Sequence, residues 1–462
     1  MSLLYYVPIA TLILGILFSL LLDFPIPAIL AVTILVTLFV GKRLGHLLHS
    51  QIRAGLQGIK QTKPVLYILA LVGILIPLLM MSGTIPGIIY YGLGVVNISY
   101  LLVIGFLLTS LVSYLLGTSV GTLSTIGLSI VGIAHASQIS LAMVAGALIS
   151  GAMVGERFSP VSSSRLLAIS SIEGDAERIS SISRKTGLLA FGVTGLLFLG
   201  LDIFRTNGAG TDIIENYQHL LQTHFPISLL SLAPLAAIIG SFLFRIKAIP
   251  SLLIGIMVSF VLMVLQRPIG IQEFVSSMFL GFDLNSGTVL DELVHGGGMI
   301  PILTVLLLIA LAGFLNGILQ NANLLKPIVD KLMGNTDKMG NLVFKSVGLS
   351  LLVIIISCNQ TIPLLILGST LYRRFAQFPN GKELLGRTLL DATMVMPVLV
   401  PWNGLSMVMS VTLGVKTTEA LPFLWFALLL PIITILFSYF DNSHKFGTKN
   451  TKDFHVNKEE VF

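Results

Sequence analysis

Leu66-Tyr67-Ile68-Leu69-Ala70-Leu71-Val72-Gly73-Ile74-Leu75-Ile76-Pro77-Leu78-Leu79-Met80-Met81 carries no charge, and stretches like it recur along the whole chain. A bilayer core of ~30 Å takes roughly 20 apolar residues per helix, so one such stretch with its flanks spans a membrane. Of the 462 residues 55% are hydrophobic and 10% charged, against about 25% charged in a soluble globular chain. The expected fold is all-α: a polytopic membrane helical bundle of about twelve full spans plus short re-entrant or half-helices. Full runs are read at 7–22, 25–41, 66–81, 100–116, 139–154, 187–201, 227–244, 250–265, 300–319, 342–357, 389–412 and 421–440. Two stretches, 123–134 and 362–371, are too short to cross as straight helices.

The net charge of +6 does not mark a nucleic-acid surface, because the basic residues sit in short connections between apolar runs. Lys42, Arg43, Arg53, Lys60 and Lys63 follow the second run with no acid among them, which assigns that side to the cytoplasm. Arg157, Arg165, Arg178, Arg184 and Lys185, then Arg245 and Lys247, then Arg373, Arg374, Lys382 and Arg387, return to the same side when both short stretches count as passes. Asp212, Glu215, Glu273, Asp283, Asp291 and Glu292 fall outside. The expected organisation is one transmembrane domain over 1–440, with repeat halves at about 66–203 and 250–440, and a polar cytoplasmic tail over 441–462. The first run is read as a retained helix, which puts both termini in the cytoplasm and the chain in the inner or plasma membrane as a multi-pass protein. The lone cysteine, Cys358, excludes an intramolecular disulfide and is read as packing.

Two interruptions break the apolar pattern. One is Gly117-Thr118-Ser119-Val120-Gly121-Thr122 and the other Ser357-Cys358-Asn359-Gln360-Thr361-Ile362-Pro363. Unwound backbone at membrane depth is tolerated only when buried in protein or lining a wet cavity. Interrupted helices in both halves that point opposite ways predict an inverted repeat with a midplane binding site. Thr118, Ser119 and Thr122 supply hydroxyls at the first interruption; Asn359 and Gln360 supply amide oxygens at the second.

Carboxylates inside apolar runs are few. A charge at the bilayer centre costs ~2.5 to 3.5 kcal/mol on insertion scales and persists where it lines a pathway or pairs with a base. Asp391 leads, because Pro397 and Pro401 unwind the run beside it while Thr393 and Asn403 add oxygen ligands; it is the expected sodium site. The alternative is a pair with Arg387, one turn earlier. Glu156 is second, ringed by Ser159, Ser162, Ser163 and Ser164. A hard cation takes carboxylate, hydroxyl and carbonyl oxygens, and a desolvated carboxylate takes a proton more readily, so one group can serve both in turn. The bland reading of Glu156 is that it neutralises Arg157 or Arg165 at a basic membrane edge. No Walker lysine motif, nucleotide-binding glycine fingerprint, metalloprotease His-Glu pattern or nucleophile elbow is present, which argues against an enzyme or an ATP-driven pump and leaves ion gradients as the energy source.

Taken in order and spacing, Ser82-Gly83-Thr84-Ile85-Pro86, Tyr90-Tyr91-Gly92-Leu93, the 117–122 stretch, the 155–160 stretch, His295-Gly296-Gly297-Gly298-Met299, Gln360, Arg387-Thr388-Leu389, Asp391 and Pro401-Trp402-Asn403 resemble the NhaC-type sodium/proton antiporters, a family that also includes malate/lactate antiporters. The resemblance implies a secondary transporter that exchanges cytoplasmic sodium for outside protons by alternating access, with no cofactor. It also implies a fold of inverted repeats with discontinuous helices. The chain departs from the family pattern at Ser163 and Leu390, where acids are expected, and at Met394 and Met396, where threonines are. Those departures keep open a carrier of a small organic anion or amino acid, in which Arg157 or Arg165 would meet the solute carboxylate. The expected partners are the lipid bilayer, sodium ions and protons, an organic solute on the second reading, and a second copy of the chain as a homodimer; nucleic acid is not among them.

Overall fold

The computed structural model describes residues 3–22, 24–95, 97–205, 211–244, 246–266, 270–288, 290–322, 331–334, 338–357 and 359–440. Cys358, Arg245 and the tail from Asp441 lie outside the described residues.

The apolar runs are helices because, in lipid, a helix satisfies its backbone N–H and C=O groups internally. In the first half these are α1 (Val7–Leu22), α2 (Ile26–Arg43), α3 (Leu48–Met81), α4 (Thr84–Val95), α5 (Leu101–Leu116), α6 (Ser119–Ala136), α7 (Leu141–Phe158), α8 (Ser163–Ser170) and α9 (Ala176–Phe204). The second half holds α10 (Thr211–His224), α11 (Ala233–Leu243), α12 (Ala248–Gln266), α13 (Ile271–Leu280), α14 (Met299–Asn321), α15 (Met339–Ser357), α16 (Thr361–Phe375), α17 (Gly381–Thr388), α18 (Gly404–Leu413) and α19 (Trp425–Phe440). Among the described residues 9 helices are long and apolar enough to cross a membrane, and the number rises to 12 when each bent pair counts as one span.

Several boundaries differ from the sequence reading. The run at 389–412 unwinds at Pro397 and Pro401 as expected, but it also bends: a π-turn at Leu389–Thr393, a 3-10 turn at Met396–Leu399 and then α18 follow one another, and the axis turns by 55°. The runs at 227–244 and 421–440 also belong to bent pairs, at 90° and 49°. The stretch 123–134, expected to be too short to cross, lies within the 18-residue α6. Arg53, Lys60 and Lys63, read as loop residues, stand on the first turns of α3. Their charges mask helicity in a hydropathy reading. Helix α4, of 12 residues, is not among the runs read from the sequence; it is too short to cross a bilayer.

Two close helix crossings organise the bundle. Gly151 and Gly155 of α7 lie against the Phe106 and Ser110 carbonyls of α5, and Ser113 Oγ donates to Ala152 O at 2.6 Å. Gly313 and Gly317 of α14 lie against Gly58 and Ala54 of α3. Between lipid-surrounded helices no hydrophobic gain drives association, so small residues four apart that let backbones touch supply the packing. Large apolar side chains such as Leu35, Leu196 and Leu265 point outward, 67%, 68% and 74% exposed, as helices do that face hydrocarbon rather than water. Glycines 296–298 serve packing: a two-residue antiparallel bridge pairs Phe282 with Gly296, and Gly298 N–H donates to Gly73 O of α3 at 2.9 Å.

Candidate functional site

Helix α5 stops at Gly117, which adopts φ 69° while its N–H bonds to Ser113 O at 2.8 Å. A Cβ at this position would come within 2.8 Å of Val161 Cγ2 and 3.0 Å of Ser162 N, so glycine is required by both conformation and space. Thr118 then runs extended and caps α6, its Oγ1 accepting from Gly121 N–H at 3.3 Å. Thr122 Oγ1 donates to Thr118 O at 2.8 Å. Helix α6 contains a π-turn at Leu123–Gly127, and Asp391 lies in the other, at Leu389–Thr393. Such one-residue insertions rotate the following side chains and are frequent at functional sites.

The α5–α7 glycine contact brings Glu156, next after Gly155, to the start of α6. Ser119 N–H donates to Glu156 Oε2 at 3.2 Å, and Ser164 Oγ donates to Oε1 at 2.7 Å. Ser164 stands in the first turn of α8, and its hydroxyl is also 3.2 Å from Gln360 Oε1. Gln360 in turn donates through Nε2 to Met394 O at 2.8 Å, while Asn359 Oδ1 accepts from Thr361 N–H at 2.7 Å at the start of α16. The two interruptions, which the topology count assigns to opposite ends of their runs, therefore meet through Ser164. Glu156 is 5% exposed. Among the described residues no Lys, Arg or His nitrogen lies within 4.0 Å of its carboxylate. An ionised carboxylate offers about four acceptor positions, and here two donors fill two of them.

Asp391 is in a different situation. Its Oδ1 accepts from Arg157 Nε at 2.9 Å and from Arg157 Nη2, and its Oδ2 accepts from Thr186 Oγ1 at 2.7 Å and Thr434 Oγ1 at 2.6 Å. Arg157 Nη2 also donates to Ser183 O at 2.7 Å, and the guanidinium lies over the Phe158 ring, 4.6 Å from its centroid. A side chain on Gly187 would overlap this guanidinium. The pair is sealed, with side chains 1% and 0% exposed, and ties α7, α9 and α19 to the π-turn. Arg387, weighed from the sequence as the partner, instead donates to Ser438 Oγ at 2.6 Å. Both side chains meet α19, Asp391 at Thr434 and Arg387 one turn further on at Ser438. As arranged here, Asp391 has its acceptor positions filled by protein donors rather than turned to a cation.

The other expected site residues scatter. Thr393 Oγ1 pairs with Ser350 Oγ at 2.8 Å, Ser159 Oγ accepts from Val161 N–H at 3.4 Å, and Asn403 caps α18 by accepting from Leu405 N–H at 3.1 Å. Glu156, Ser119 and Gln360 are brought together; Asp391, Thr393, Asn403 and Ser159 are elsewhere. Sequence reasoning missed Ser164 as the bridge and Thr186 and Thr434 as the Asp391 clamp. Thr434 is an isolated hydroxyl in an apolar run, which is usually a helix contact, and Ser164 is one of three consecutive serines with nothing local to single it out. It also missed Asp202, which accepts from Leu102 N–H at 3.3 Å and Val103 N–H at 2.9 Å and so caps α5.

Beside Gln360, a cavity of about 110 Å³ lies between α3, α14, α16 and α18, with Thr62, Asn316, Ser357, Asn359 and Gln360 in its wall. A wider crevice of about 610 Å³ meets it at Asn359 and Thr361 and reaches Gln61 and Gln320.

Glu156 is thus held at the start of α6 and linked through Ser164 to Gln360 and the polar cavity, within a bundle of helices long and apolar enough to cross a membrane. Residues 168–441 match the Na+/H+ antiporter family. Over 84% of its length, and 84% of the relative's, the chain is 30% identical to the Na(+)/H(+) antiporter NhaC of Alkalihalophilus pseudofirmus. The chain belongs to the Na+/H+ antiporter family. It is also 27% identical, over 91% of both chains, to the malate-2H(+)/Na(+)-lactate antiporter of Bacillus subtilis. With the arginine/ornithine antiporter ArcD of Halobacterium salinarum it shares 25% identity over 81% of this chain and 78% of the relative. As a member of the Na+/H+ antiporter family it is a multi-pass membrane transporter and not an enzyme.

Proposed function

We propose that this antiporter exchanges sodium ions for protons by alternating access, with Glu156 holding one or the other in turn. The observation that carries the assignment is a buried carboxylate with two donors, no cationic partner among the described residues, and the first N–H groups of α6 beside it. The positive end of a helix favours the ionised form, and the vacant acceptor positions invite a small hard cation. When the cation leaves, a proton neutralises the buried charge at a smaller desolvation cost than leaving it bare. Sodium and proton then compete for one group, which is what obligatory exchange requires. Ser119, Ser164 and Gln360 shape the site, and Asp391 holds Arg157 away from it. Thr118 and Thr122 fix the backbone of α6.

The inverted-repeat reading draws support from the two interruptions that meet at Ser164 and from a π-turn in each half. A cytoplasmic position for the start of α3, and with it for the crevice at Gln61, draws support from Lys42, Arg43, Arg53, Lys60 and Lys63. The organic-anion alternative relied on Arg157 or Arg165 for the solute carboxylate. Arg157 is taken up by Asp391 and Arg165 bonds to Ser180, which favours sodium.

Everted vesicles with an acid-inside gradient test the reading. Sodium should collapse the gradient in the wild type and not in Glu156→Gln. If malate, lactate or an amino acid collapses it and sodium does not, the organic-solute carrier takes its place.

A further inference from the structure

We infer that the chamber between α3 and α14 is a second, neutral cation site, centred on Asn316, at which sodium waits between the crevice and Glu156. This inference rests on the sodium reading of the previous section. Asn316 is 2% exposed, and its Oδ1 is buried without a hydrogen-bond partner. A buried polar atom left unpaired in a polar chamber marks a place where something else supplies the partner. The side chain lines the cavity of about 110 Å³ together with Thr62, Ser357, Asn359 and Gln360.

The location is built by backbone packing. Gly313 and Gly317 flank Asn316 on α14 and hold that helix against Gly58 and Ala54 of α3, and Thr62, one turn after Gly58, packs on Gly313. Asn316 and Thr62 therefore face one chamber from two helices that touch. Thr62 Oγ1 donates its proton to Ile59 O at 2.9 Å, so its oxygen lone pairs remain acceptors. Oxygens from an amide and a hydroxyl, with the amides of Asn359 and Gln360 nearby and no charged side chain among the described residues of the wall, suit a hard monovalent cation that keeps part of its water. No carboxylate is among the described residues of the wall, which sets this site apart from Glu156: it holds sodium without exchanging it for a proton. It also shares wall residues with both neighbours. Asn359 and Thr361 are shared with the crevice, and Gln360 is shared with the Glu156 cluster.

The test separates the two sites by equilibrium binding of radioactive sodium to purified protein and by transport. In the Glu156→Gln background, which removes the exchanging carboxylate, sodium binding should persist, and adding Asn316→Ala should abolish it. In the otherwise wild-type protein Asn316→Ala should raise the apparent KM for sodium by about tenfold at little change in maximal rate. Asn316→Asp, which keeps an oxygen at the same place, should bind sodium at least as tightly and guards against a mere folding defect. Binding in the Glu156→Gln background that Asn316→Ala leaves unchanged overturns the second site, as does an unaltered KM. A Glu156→Gln protein that still exchanges sodium for protons overturns the carboxylate assignment instead.

Discussion

Glu156 and Asp391 are both carboxylates buried in a membrane bundle, and they are opposite in kind. Asp391 accepts from an arginine and two threonine hydroxyls and has no vacancy. Glu156, whose chain neighbour is that same arginine, accepts from one backbone N–H and one serine hydroxyl. On the proposed reading, the number of donors already satisfied, and not burial alone, separates the exchanging group from the structural one. A saturated carboxylate is stable in one charge state, whereas an undersaturated one is stabilised by whatever ion arrives. Successive residues on α7 point to different sides, so one turn of helix serves both purposes, with Arg157 drawn toward Asp391 and kept from neutralising Glu156.

This contrast can be broken by substitution. The largest effect is expected from Glu156→Gln: amide oxygen and nitrogen fill the same space, the protein inserts and folds, and sodium-dependent proton movement falls by at least about a hundredfold in vesicles. Asp391→Asn should act on stability first, because removing one partner of a buried ion pair costs about 3 to 5 kcal/mol. Thermal unfolding in detergent would show the loss, and Arg157→Leu combined with Asp391→Leu should recover much of it. If the double variant also regains exchange, Asp391 is a positioning residue. Gly117→Ala should cost roughly 1 to 3 kcal/mol through its left-handed backbone and its contact with Val161, seen as a lower melting temperature. Ser164→Ala is expected to change transport least: it removes one charge-assisted hydrogen bond to Glu156, worth about 1.5 to 3 kcal/mol, and leaves the Ser119 donor in place, so a severalfold rise in the apparent KM for sodium is expected.

The apolar runs were legible because lipid imposes one requirement on every spanning segment, and hydropathy reports it directly. The unwinding within 389–412 was legible in Pro397 and Pro401; the angle it produces, and the bends of the pairs that include 227–244 and 421–440, were not, because the surrounding runs stay apolar. Glu156 stood out as an acid in an apolar context, but its rank against Asp391 could not be read from spacing. The Asp391 partner lies 234 residues away along the chain, and local patterning points instead to Arg387. The glycines four apart at 151 and 155, and at 313 and 317, were present in the sequence. Their meaning depends on which helix they touch.

The most direct test is proton release from purified protein in weakly buffered detergent solution when sodium is added. Wild type should release on the order of one proton per chain, since a cation that occupies a protonated carboxylate displaces its proton; Asp391→Asn should still do so wherever it remains folded, and Glu156→Gln should release none. Release that survives Glu156→Gln and vanishes with a folded Asp391→Asn would contradict the assignment and return the exchanging role to the saturated carboxylate.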